Sequence, residues 1–158
     1  MIKNERQLKI TKNTLRKFES ILMQLTKQQH QSAPDLKLKM QIDTLETDTS
    51  KLKKEIKEFE HLKSGEVKII SAKSFNDLPT LIIKARIARA LTQKDLALKL
   101  GMKEQQIQRY ESNYFANASF AMMSKIVDAL DITIEEKVRL KSSSFEKINK
   151  SQVIALQS

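Results

Sequence analysis

The residues that could do chemistry in this chain are amides, carboxylates and cations. There is no cysteine, so disulfides, thiolate metal sites and cysteine nucleophiles are excluded together. His30 and His61 are the only imidazoles. On helical geometry the stretch from Asp35 to His61 alone spans about 39 Å, so one subunit cannot bring both to one ion. No nucleophile, base and acid can be assembled from what is left, and an enzyme is not expected. Gly65 and Gly101 stand isolated, which excludes a glycine loop cradling phosphates, and neither cofactor nor metal is expected. What remains is charge and hydrogen bonding. Lys+Arg number 29 against Asp+Glu 19, a net of +10. Gln105, Gln108 and Arg109 face outward together from one short helix. Amide and guanidinium groups make bidentate hydrogen bonds of the kind that read base edges, and spread positive charge releases counterions from a duplex.

The elements that must hold those side chains lie in residues 74–131. Ser74-Phe-Asn-Asp77 has capping-box spacing, and Pro79 falls in the first turn of the helix that follows. Leu78, Leu81, Ile82, Ala85, Ala88 and Ala90 line one side of it. Thr92-Gln-Lys-Asp95 repeats the box and opens a second, short helix with Leu96, Ala97 and Leu100 on its buried side. A third helix runs from about Lys103 to Ser112. Ala97 must be small because the third helix presses on it. Gly101 supplies a left-handed turn, and Ile107 faces back into the core. Two helices crossing steeply over such a turn form a helix-turn-helix. Ser119 caps a fourth helix, whose Phe120, Met123, Ile126, Val127 and Leu130 close the core.

The run from Thr92 to Glu111 resembles the lambda-repressor-like, or Cro/repressor (XRE), family of DNA-binding proteins. The resemblance covers about 78–131 and implies a compact five-helix domain that binds operator DNA, usually as a dimer. By the family pattern the third helix enters the major groove, with Glu104, Gln105, Gln108 and Arg109 at base-reading positions. Gln93 would open the second helix against a phosphate, and Arg86 with Glu111 would form the family's partly buried ion pair. Lys94, Lys103 and the loop through Asn113 and Asn117 would contact the sugar–phosphate backbone. Lys103 stands where the family often has Ser or Thr. Asn113 stands where it often has Gly, as the next most tolerant residue for a left-handed conformation. Glu104 either accepts from cytosine or complements the helix dipole, and Arg109 takes either guanine or phosphate. Tyr110 reads as core.

Residues 1–64 read as a helical hairpin. Leu8, Leu15 and Leu22 recur every seven residues, offset by three from Thr11, Phe18 and Leu25. With Thr11 as N-cap, the spacing predicts a helix at about 12–31, broken at Pro34. Leu38, Leu45, Leu52 and Phe59, with Ile42, Thr49 and Ile56, predict a second helix from Asp35 to about 63, stopped at Ser64-Gly65. Two narrow seams bury little by themselves, so the hairpin is expected to pack on a second copy, the other domain or a partner. Residues 65–73 read as a linker or short strand that could pair with the start of 132–158, a C-terminal segment and loosely held tail. The fold class is therefore mainly all-α, with room for one short β-ribbon. No signal core or membrane span is visible, and a cytoplasmic protein is expected. Three functions fit: a sequence-specific regulator, most simply a homodimeric repressor on double-stranded DNA; an antitoxin that represses its own operon, its hairpin holding a toxin, as the opening residues resemble HigA-like regulators; or an architectural protein in which the hairpin is the active part. The outward polar residues of the third helix argue against the last.

Overall fold

A computed structural model describes residues 1–31, 35–72 and 74–135. The helices run in the order α1 (Glu5–Gln31), α2 (Leu36–Lys63), α3 (Leu78–Ala88), α4 (Gln93–Lys99), α5 (Glu104–Ser112) and α6 (Phe120–Ala129), with a 3-10 turn at Phe75–Asp77 before α3. Among the described residues there is no strand. Residues 66–72 form a linker without helix or strand, and the ribbon envisaged there is not formed. Most of the second ribbon segment, residues 136–140, and the tail expectation lie outside the described residues, as does Pro34.

The hairpin forms on the seams that the heptads outlined. Leu38, Ile42, Thr49, Ile56 and Phe59 of α2 are buried, with Leu45 and Leu52 half-buried beside them. Asp35 caps α2 by accepting from the Lys37 amide at 2.8 Å. The start of α1 differs from expectation. Asn4 Oδ1 accepts from the Gln7 amide at 2.9 Å, so the cap lies seven residues before Thr11 and Thr11 falls inside the helix. A side chain that caps early removes the need for a later cap. Ion pairs then lace α1 to α2: Glu5 to Lys63 at 2.5 Å, Lys12 to Glu60 at 2.5 Å and Glu19 to Lys53 at 2.8 Å.

The hairpin's root does not wait for a second copy to cover it. Ile2, Leu8, Ile56, Phe59 and Leu62 share one apolar cluster with Leu78, Ile82 and Ile83 of α3. Glu58 of α2 pairs with Lys84 of α3 at 2.5 Å. Leu96, Ile107, Ile126 and Leu130 complete that cluster at the centre of α3–α6.

Caps set the ends of the short helices. Thr92 and Asp95 form the reciprocal box, the Asp95 amide donating to Thr92 Oγ1 at 3.0 Å and the Thr92 amide to Asp95 Oδ2 at 2.9 Å. Ser119 accepts from the Met122 amide at 3.1 Å. The box at Ser74 is not made: Ser74 caps only the 3-10 turn, through the Asn76 amide, and Asp77 makes no side-chain cap bond. Helix α3 stops at Ala88, short of Ala90, whose φ of 54° is left-handed. No helix of the described residues is long and apolar enough to cross a membrane.

Candidate nucleic-acid interface

Helices α4 and α5 cross at the turn built on Gly101, whose φ is 64°. A Cβ added there would meet nothing within 4 Å, so the demand for glycine comes from the backbone angle rather than from a neighbour. Leu96, Ala97 and Ile107 are buried at the crossing, and the Met102 amide closes the turn on Ala97 O at 2.8 Å. With Ile107 fixed inward, the helical period turns Glu104, Gln105, Gln108 and Arg109 outward, and all four are exposed. Gln108 Nε2 donates to Glu104 Oε1 at 2.9 Å, one turn away. Lys103 has no hydroxyl to offer as N-cap. Gln106 supplies the other half of a cap, its Oε1 accepting from the Lys103 amide at 3.2 Å. Lys94 and Lys103 project from the first turns of α4 and α5, and neither they nor Arg109 is ion-paired among the described residues.

Behind the exposed face lies a buried polar network. Arg86 Nε donates to Glu111 Oε1 at 2.5 Å and Nη2 to Oε2 at 2.8 Å, with both side chains nearly inaccessible. Arg86 Nη1 donates to Leu91 O at 2.7 Å, and Nη2 also donates to Lys3 O at 2.7 Å. Gln93 completes the set through its side chain. That side chain is buried, Nε2 donating to Glu111 Oε2 at 2.8 Å and Oε1 accepting from Asn4 Nδ2 at 3.1 Å, so the phosphate contact expected at the start of α4 falls to the backbone amide. The physical reason is the charge of Glu111. A buried carboxylate can accept more than one hydrogen bond at each oxygen; Arg86 supplies one to each, and Gln93 adds a second to Oε2.

Lys3 enters the same network from 108 residues away. Its Nζ donates to Glu111 O at 2.6 Å and lies 3.8 Å from the centre of the Tyr114 ring. A cation on the last carbonyls of α5 offsets their partial negative charge. Burial holds the Lys3 ammonium below its ordinary pKa, and the nearby Glu111 carboxylate pulls the other way. Asp95 is also shifted down, first by the hydrogen bond from Thr92's hydroxyl and then by its amide.

The loop after α5 departs from expectation too. Asn113 is not left-handed, having φ −97°; Tyr114 and Phe115 carry positive φ of 48° and 57° instead. Burial decides this. Phe115 is buried and stacked on Tyr110 at 6.2 Å between centroids, which holds an aromatic in a conformation it otherwise avoids. Tyr110 is half-buried at this contact, and Asn113 and Asn117 are exposed. Lys3, Asn4 and Gln106 went unread in the sequence. Asn4-x-x-Gln7 does carry a capping signal, and Gln106 stands at the third helical position, where a reciprocal cap acts. Nothing local points to Lys3. Among the described residues no three metal-ligating side chains converge.

A family model described as Helix-turn-helix matches residues 82–137, about a third of the chain, including α4, the turn and α5. No curated protein matches the chain significantly, and no solved structure does.

Proposed function

We propose that this chain, a DNA-binding regulator through its lambda-repressor-like (XRE) helix-turn-helix domain, is a sequence-specific transcriptional repressor that acts as a homodimer and reads the major groove with α5. The observation that carries the reading is the outward polar face of α5, held over a fully buried Ile107 and backed by a satisfied ion pair. Affinity would come from phosphates, with Lys94, Lys103, Asn113 and Asn117 ringing the helix and displaced counterions making it salt-dependent. Sequence would be read by Gln105, Gln108 and Arg109 on base edges, each good pair discriminating by about 1–3 kcal/mol. The bond between Gln108 and Glu104 suits this. It occupies one amide hydrogen of Gln108 and leaves the second hydrogen and Oε1, the pair that adenine requires. Arg86, Glu111 and Gln93 hold the scaffold and read nothing.

Selection from a random duplex pool by the full chain tests this. A homodimer should enrich a pseudo-palindrome whose half-sites lie about 10 bp apart or a multiple of it. A pool that shows no enrichment contradicts the reading. The antitoxin reading keeps the same domain and adds a protein partner. Met23, Leu36 and Met40, exposed towards the hairpin's free end, favour it. A small protein that co-purifies with the chain and is lost on Met40→Lys supports that version.

A further inference from the structure

The α1 face that looks away from α2 is basic and carries no acid. At 100° per residue, Arg6, Lys9, Arg16, Lys17 and Lys27 fall opposite the seam of Leu8, Leu15 and Leu22. All five are exposed, and none is ion-paired among the described residues. The two carboxylates of α1, Glu5 and Glu19, are both turned aside onto lysines of α2. Five exposed cations, unpaired among the described residues, thus share one outward line, about 32 Å long from Arg6 to Lys27.

That line is rigidly rooted at the proposed reading head. Asn4, which caps α1, bonds Gln93 in the first turn of α4, and Lys3 bonds the last carbonyls of α5. From this geometry we infer that the outer face of α1 is a second nucleic-acid surface, one that takes phosphates of the duplex flanking the bases α5 reads. The inference rests on the DNA-binding reading of α5. Three observations favour duplex over other polyanions. The line is about as long as one duplex turn of 34–36 Å. Asn13, Ser20 and Gln24 lie between its cations and add polar donors. A membrane-surface helix needs a continuous apolar face, and the seam of Leu8, Leu15 and Leu22 is turned onto α2, leaving Ile10, Ile21 and Met23 as separate exposed positions.

The test uses the full chain carrying Arg6→Gln, Lys9→Gln, Arg16→Gln and Lys17→Gln, titrated with a 40-bp random-sequence duplex between 50 and 300 mM salt. Each lost phosphate contact lowers the slope of log affinity against log salt by about 0.9. A fall in slope of about 2–4 is expected, with weaker binding at every salt concentration. Arg6→Lys with Arg16→Lys keeps the slope. The four side chains face solvent, so helicity by circular dichroism stays unchanged. Should the quadruple variant misfold, the two adjacent pairs, 6 with 9 and 16 with 17, are read separately, each lowering the slope by about 1–2. An unchanged slope overturns the inference, including the case in which only binding to phosphatidylserine vesicles is lost. The control is Gln105→Ala on a selected site. If that variant binds like wild type, the reading of α5 has failed; if it is weakened while the stripe variants keep their slope, only the stripe has failed.

Discussion

At the scale of single residues, the domain depends on polar groups satisfied in pairs. Asp95 is the clearest titratable case. Hydrogen bonds from Thr92 stabilise its carboxylate, so its folded pKa lies below the ordinary value of about 3.9. A depressed acid contributes stability that is fully present above the unfolded pKa and lost as pH falls from there through the folded value. Asp95→Ala should therefore melt below wild type at neutral pH, and the two melting curves should converge as pH drops through that window. Curves that stay parallel would mean that the box does not stabilise α4. Much at this scale was legible from sequence, because caps are local: Thr92, Asp95 and Ser119 announce themselves by spacing. Gln93 was not, since only folding brings Glu111 and Asn4 to it.

At the scale of elements, backbone angle and burial compete. The turn between α4 and α5 needs a left-handed residue, and Gly101 meets that need with free space around it. Gly101→Ala should cost about 1–2 kcal/mol in denaturant unfolding, the left-handed penalty alone. A loss of 4 kcal/mol or more would point to a clash that the open space excludes. After α5 the outcome ran against propensity. Asn113 is the better left-handed residue, yet Tyr114 and Phe115 take the strain because burying Phe115 against Tyr110 outweighs it. The hairpin shows the reverse. Its seams were readable because a seven-residue period is a local signal, even though the first helix is capped at Asn4 rather than Thr11. One seam position is imperfect: Thr49 Oγ1 is buried without a hydrogen-bond partner among the described residues. Thr49→Val should keep the shape, remove the orphan hydroxyl and raise hairpin stability by about 1 kcal/mol. Thermal melts decide it, and a destabilised variant would mean that the hydroxyl has a partner after all.

At the scale of the whole molecule, hairpin and helix-turn-helix are joined by residues 2–4. Ile2 fills the shared core, Lys3 closes the end of α5 and Asn4 caps α1 while touching α4. No sequence pattern reports such a joint, because its partners lie about ninety to more than a hundred residues apart. Lys3→Met removes a charged hydrogen bond of about 1.5–3 kcal/mol. Amide exchange in the last turn of α5 should then quicken about tenfold or more, while the seam amides of residues 45–52 keep their protection. Equal loosening of both regions would show a general destabilisation instead of a broken joint.

The central claim is that the outward side chains of α5 read bases while the cations around them hold phosphates. Binding of Gln105→Ala and Lys94→Ala to the selected site and to random duplex measures it most directly. Gln105→Ala should lose about 1–3 kcal/mol on the selected site and almost nothing on random DNA. Lys94→Ala should weaken both duplexes alike and reduce the salt slope by about 1. Equal losses for the two variants on both duplexes would contradict the account.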